Sequence, residues 1–264
     1  MVGRTDRPLC PVVELRQYTL HPGQLDTLID LFETFFLDGQ EAAGITVIGQ
    51  FRDLDSPDRL VWLRGFPDMN SRARSLGDFY DGPIWKAHRE VANATMVDSD
   101  DVLLLKPARA GSGFSSFRRS PPRRVVTQAA RGFVVARVSS LRSSAEAAES
   151  VSRFEAITAP AIRAAGAGVL ALFVSEPAPN NFPRLPVRSG EQVFAWFAGA
   201  PERAVLDRVV SQAAEDPPSR TEGWAQLLRL APTPRSRVTG GSAACAAFSS
   251  VPPLPGGRGA AVQL

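Results

Sequence analysis

The sequence predicts an α+β fold in which two tandem βαββαβ units close into a barrel. Three observations predict it. One order of elements is written twice along the chain, and two short strings recur at corresponding places in the copies. The strands also carry apolar residues on both faces, so each sheet needs a cover on either side.

The first copy is read as follows. VVELRQYTL (12–20) alternates as a strand does, and His21-Pro22-Gly23 breaks it. Leu25, Leu28, Ile29, Phe32, Phe35 and Phe36 then fall at helical spacing, and Gly44 stops the helix. ITVIGQFRDL (45–54) and RLVWLRGF (59–66) are strands on either side of a turn built from Asp, Ser and Pro. A helical stretch over 69–95 is interrupted at Gly82-Pro83, and DVLLLKP (101–107) closes the unit as a strand.

The second copy repeats the order. GFVVARVSSL (132–141) is a strand and 143–165 a helix. AGVLALFVSE (167–176) and EQVFAWFAG (191–199) are strands, 201–214 is a helix, and LLRLAP (227–232) is the last strand. Ala42-Ala43-Gly44 recurs as Ala164-Ala165-Gly166 at an offset of 122. Trp62-Leu63-Arg64-Gly65-Phe66-Pro67-Asp68 recurs as Trp196-Phe197-Ala198-Gly199-Ala200-Pro201-Glu202 at an offset of 134. The added 12 residues lie in the hairpin loop SEPAPNNFPRLPVRSGE.

Each copy is a ferredoxin-like unit, a four-stranded antiparallel sheet with helices on one face. In RLVWLRGF, Val61 and Leu63 oppose Trp62, Arg64 and Phe66; in EQVFAWFAG, Val193, Ala195 and Phe197 oppose Phe194 and Trp196. The helix-free faces are therefore expected to pack together as the inside of a barrel. Domain limits follow: repeats over 11–108 and 132–236, an Arg/Ser/Pro-rich linker over 109–131, and a tail over 237–264 whose composition predicts disorder.

The net charge of +3 could suggest a nucleic-acid partner, but its distribution argues against one. Residues 1–108 hold 17 acids against 11 bases, and 132–234 hold ten of each. The excess lies in the linker, with six arginines and no acid, and after residue 234, with three more. A binding footprint would be a basic stripe on the folded part. Cys10 and Cys245 have no CxxC and no histidine partners, which leaves a disulfide framework or a zinc site without support. The N-terminus lacks the apolar core of a signal peptide, and the longest apolar run, around AGVLALFV, is too short to span a bilayer. A cytoplasmic protein without membrane insertion is the expectation. Neither a phosphate-binding glycine loop nor a G-x-S-x-G elbow is present, which argues against nucleotide chemistry and serine hydrolysis.

VVELRQYTLHPG, GQFRDLDSPDRLVWLRGFPDM, PIWKAHREVAN, DSDDVLLLKPA and, in the second copy, APNNFPRLPVRSGEQVFAWFA resemble the NIPSNAP family over about residues 11–235. The resemblance implies a branch of the dimeric α+β barrel superfamily, which includes antibiotic-biosynthesis monooxygenases, isomerases, lyases and haem-handling proteins. It implies the fold more firmly than any activity.

Function is expected to lie inside the barrel, as a site for a small, largely apolar organic ligand. The reading extends to a monooxygenase, isomerase or lyase that needs no cofactor. Glu14, Arg16 and Tyr18 share one strand face, at i, i+2 and i+4. If that face meets the partner sheet, they join Trp62, Arg64 and Trp196 around a mostly aromatic pocket, with Phe51 and Phe194 as further walls. His88, one of two histidines, is the candidate acid or base; it shares a helix face with Ile84, Val91, Ala92 and Thr95, where packing is the competing role. His21, and Asp53 with Asp55, read as turn formers. Two alternatives stand beside this reading. One is a non-catalytic interaction module, forming a homo-oligomer or docking a partner on the 175–190 hairpin; the other is a haem protein with His88 as axial ligand.

Overall fold

The computed structural model describes residues 10–114, 132–215 and 223–242. Most of the predicted linker, and the tail beyond 242, lie outside these residues. Two four-stranded antiparallel sheets form one closed eight-stranded barrel. The first repeat supplies β1 (Val12–Leu20), β2 (Thr46–Asp53), β3 (Arg59–Phe66) and β4 (Met96–Pro107), and the second supplies β5 (Phe133–Leu141), β6 (Gly168–Ser175), β7 (Gln192–Ala200) and β8 (Ala225–Pro232). Around the barrel the order is β1-β3-β2-β8-β5-β7-β6-β4, so each repeat keeps its own ferredoxin-like sheet.

Two seams join the sheets. Phe51, Arg52 and Asp53 pair with Pro232, Ala231 and Leu230, and Leu105, Lys106 and Pro107 pair with Ser175, Val174 and Phe173. The repeats therefore do more than pack face to face. Each uses the other's edge strands to satisfy backbone groups that would otherwise be open to pairing with another chain.

In the first repeat α1 (Leu25–Leu31) runs through a π-helical turn, Phe32–Phe36, into α2 (Leu37–Ala42). In the second, α5 (Ala145–Arg153) runs through Phe154–Thr158 into α6 (Ala159–Ala164). Both π turns start at the same place, 122 residues apart. So do the bulges between Val47 and Gly49 in β2 and between Val169 and Ala171 in β6. The internal repeat thus extends to local irregularities that a chance likeness of strings would not reproduce. The repeats differ on the far side. The first carries α3 (Met69–Tyr80) and α4 (Pro83–Thr95), whereas the second carries α7 (Arg203–Glu215). Asp68 caps α3 by accepting from the Ser71 N–H at 2.6 Å.

Strand alternation sorts the core into three compartments. Val13, Leu15, Val61, Leu63, Phe51, Ala195 and Phe197 fill the barrel. Tyr18, Trp62 and Phe66 pack under the helices of the first repeat, and Phe194 and Trp196 under those of the second. The tail boundary drawn at residue 237 falls within packed chain. Val238 is buried in the barrel core, Arg235 binds Asp38, and Arg237 binds Glu41. Two of the three arginines after residue 234 therefore answer acids of the first repeat rather than adding to a solvated charge run.

Candidate functional site

The polar face of β1 meets helices. Glu14, Arg16 and Tyr18 alternate with Val13 and Leu15, and because the latter two enter the barrel, the former three point the other way. Cross-strand pairing sets Glu14 opposite Arg64 and Arg16 opposite Trp62 on β3. The helix layer adds Arg72 from α3 and Tyr80 from the end of the same helix.

Three guanidiniums converge on one carboxylate. Glu14 Oε2 accepts from Arg16 Nη1 and from Arg64 Nε, each at 2.7 Å, and Oε1 accepts from Arg72 Nε at 2.6 Å. All four side chains are at most 1% exposed. Arg16 Nε donates to the Tyr18 hydroxyl oxygen at 3.0 Å, and Arg64 Nη1 to that of Tyr80 at 3.4 Å. The Arg16 and Arg64 guanidiniums also lie over the Trp62 ring, 5.6 and 5.2 Å from its centroid.

Electrostatics follow from this crowding. Burial alone would push the Glu14 carboxyl up, but Arg64, Arg16 and Arg72 together outweigh it and hold the group well below the usual carboxylate range. Burial pushes the Tyr18 phenol up, against the pull of Arg16, so it keeps its proton at neutral pH. Burial lowers the Arg72 guanidinium, Glu14 opposes this, and Arg64 and Arg16 lower it further. Three cations around one anion leave the cluster short of negative charge.

A cavity of about 30 Å³ adjoins the cluster, between the sheet and the helices of the first repeat. Tyr18, Tyr80, Trp62, Trp85, Phe32 and Gln40 are among its walls. Trp62 Nε1 and Gln40 Oε1 have no hydrogen-bond partner among the described residues. In this shape the cavity holds one or two waters.

The second repeat closes the outside. Its β6–β7 connection brings Asn180 and Asn181 to Arg72, whose Nη1 donates to both Oδ1 atoms at 3.0 and 2.9 Å. Phe182 packs near Tyr80, with ring centroids 6.2 Å apart, and Arg184 pairs with Asp81 at 2.9 Å.

The structure corrects the expected pocket. Tyr18, Glu14, Arg16, Trp62 and Arg64 do come together, but on the helix side of the sheet and not inside the barrel. Phe51 faces the barrel interior, and Trp196 and Phe194 lie under the second repeat's helices against Phe154, so these three are parted from the group. The alternation had allowed either face to be the inner one, and only the position of the helices chooses. His88 does not line the cavity. It is half-buried and stacks on the exposed Phe35 at 3.8 Å, which places it in a packing position. His21 opens a turn as read, its carbonyl accepting from the Gln24 N–H at 3.0 Å; Asp55 lies in the bend, but Asp53 is the last residue of β2, paired with Leu230 and accepting from the Asp55 N–H at 2.9 Å. Sequence reading missed Arg72, Tyr80 and the Asn180-Asn181 pair. Arg72 and Tyr80 are eight residues apart on a helix, a weak signal. The asparagines lie over a hundred residues from their partner, and no spacing rule links them.

The site has no twin in the second repeat. At the offset of 134, Trp62 corresponds to Trp196 and Arg64 to Ala198. Through the matching registers Glu14 corresponds to Val135 and Tyr18 to Ser139, while Arg16 corresponds to Arg137, which donates instead to the Ala213 carbonyl. Among the described residues, no group of three or more His, Cys, Asp or Glu side chains could hold a metal ion, and no helix is long and apolar enough to cross a membrane.

Comparison with known proteins agrees with this picture. Residues 13–110 match the NIPSNAP family model. An uncharacterised NIPSNAP-like domain protein from Burkholderia xenovorans is 27% identical, with a TM-score of 0.34 over 45% of this chain and 95% of its own. Two proteins provisionally described as monooxygenases share the fold over most of the length. The one from Fusobacterium nucleatum is 7% identical, with a TM-score of 0.53 over 86% of this chain and 94% of its own. The one from Lactobacillus acidophilus is 14% identical, with a TM-score of 0.51 over 89% and 98%. No curated protein matches the chain.

Proposed function

The chain is a NIPSNAP family protein by its residues 13–110, and on that footing we propose that the pocket under the first repeat's helices binds a small aromatic molecule bearing an enol or phenol oxygen and stabilises its anion. The Tyr18 hydroxyl carries this reading. Its oxygen already accepts from Arg16, so its own proton is left to donate, and a cationic neighbour makes it a stronger donor. Tyr80 is held in the same way by Arg64, and both phenols line the cavity. Two polarised O–H groups in a buried site would favour negative charge on a ligand oxygen. A phenolate stabilised there, its proton released to solvent, can itself reduce dioxygen: one oxygen forms the new C–O bond and ends as a quinone carbonyl, and the other leaves as water. An enolate reprotonated at carbon gives the isomerised ketone. This supports a monooxygenase or isomerase acting without a bound nucleotide. Two proteins of the same fold being described as monooxygenases is consistent with it, although fold alone does not carry chemistry.

The test uses 2-naphthol, whose absorbance separates phenol from phenolate, titrated into the full chain. The reading expects binding with quenching of tryptophan emission, and a bound spectrum shifted towards naphtholate. Tyr18→Phe should abolish the shift while leaving a folded protein. Absence of binding, or a shift untouched in Tyr18→Phe, would overturn it.

A further inference from the structure

Arg72 is the least settled member of the buried cluster. Its Nε serves Glu14, its Nη1 is shared between two neutral amide oxygens, and its Nη2 has no partner among the described residues. Arg64 Nη2 is likewise without one. Glu14 is the one carboxylate bonded to three guanidiniums, and amide oxygens supply hydrogen-bond acceptors but no compensating charge. A buried cation in this state gains most from a second anion.

The amide oxygens come from elsewhere in the fold. Asn180 and Asn181 belong to the connection that is 12 residues longer than its counterpart in the first repeat. The segment holds its own shape, since the Asn180 side chain donates to the Leu185 carbonyl at 2.8 Å and accepts from the Phe182 N–H at 3.1 Å. The body of the connection is anchored on the first repeat, since Phe182, Leu185 and Val187 pack against its core and Arg188 bonds Val102 and Asp101 of β4. The tip itself is held by the Asn contacts with Arg72 and by the Asn181 side chain donating to the Met69 carbonyl at 2.6 Å, with the exposed Arg184–Asp81 pair beside it. Both Oδ1 atoms sit on Nη1 and Nη2 beside it has no partner among the described residues, so withdrawing the tip would free the Nη1–Nη2 edge that a planar carboxylate bridges.

We infer that Arg72 is the carboxylate-recognition residue of the first repeat's pocket, and that the Asn180-Asn181 tip is an intramolecular plug which an aromatic carboxylate displaces. The inference rests on the pocket described above as the ligand's resting place, with the ring among Trp62, Tyr80 and Trp85. Arg is suited to the role because its planar fork meets a carboxylate with two parallel bonds.

The experiment compares 2-naphthoate with 2-naphthamide, the neutral isostere, by tryptophan fluorescence, and follows hydrogen exchange of residues 178–187. Naphthoate should bind at least tenfold more tightly than the amide and should raise exchange in that segment. Asn181→Ala should tighten naphthoate several-fold by weakening the plug. Asn181→Asp, which gives Arg72 a carboxylate within the chain, should weaken it tenfold or more. Both substitutions are on an exposed residue, so neither depends on a core variant folding. Equal binding of amide and acid, no binding of either, or indifference to both Asn181 variants would overturn the inference. A selective response to naphthoate with no Tyr18-dependent naphtholate shift would instead sink the oxyanion reading and leave this one standing.

Discussion

Arg72 Nε, on a helix, donates at 2.6 Å to Glu14 Oε1, on the first strand, with both side chains fully buried. That bond ties the helix layer to the barrel wall. It also makes Glu14 the common partner of three cations, so removing one atom's charge disturbs all of them.

Glu14→Gln should therefore destabilise the protein by about 3–5 kcal/mol, the usual consequence of breaking a buried charge pair from one side. The pH dependence has a definite sign. Glu14 is held below its ordinary value of 4.5, so its contribution is complete above that pH and is lost as pH falls below it. Urea denaturation of both proteins at pH 7 and pH 3 measures this. The gap between them should narrow at pH 3.

His88→Ala should cost about 0.5–1.5 kcal/mol, the loss of one ring stack on Phe35. Naphthol titration of this variant should match that of the parent. A lost spectral shift would return His88 to the chemistry.

Gly199 sits where an added Cβ would come within 2.7 Å of the Gly240 carbonyl oxygen, a backbone atom. Gly199→Ala should destabilise by about 1–3 kcal/mol, the cost of overpacking, read from thermal or urea melts. Gly65, its counterpart in the repeat, meets Cys10 in the same way at 2.5 Å. The recurring glycine thus has a steric purpose, admitting a terminal segment against each sheet.

A chain ended after Arg237 should melt lower than one ended after Ser242. The shorter chain loses Val238 from the barrel core, and burying a valine contributes about 1.5–3 kcal/mol. Equal melting temperatures would show that residues 238–242 only rest on the barrel.

Burial pushes the Cys10 thiol up to about 11, so little thiolate exists at neutral pH. In a Cys245→Ser background, iodoacetamide at pH 7.5 should label Cys10 only after urea is added. Rapid labelling of the folded protein would contradict its burial.

Periodicity and repeated strings were enough to read two βαββαβ units, their strand order and the presence of Glu14, Arg16 and Tyr18 on one face. Such patterns are local, and a period of two reports which residues share a face without regard to distance. The strings also located Trp62 and Trp196 as equivalents, though not that Glu14 and Arg64 beside the first give way to Val135 and Ala198 beside the second. Tertiary structure alone decided which face turns inward, because that depends on where the helices settle once both sheets pair at their edges. It alone brought Arg72 and Tyr80 under the same roof as Glu14, and carried Asn180 and Asn181 across from the other repeat. Contacts between residues a hundred positions apart are made by closure of the barrel, and no spacing in the chain encodes them.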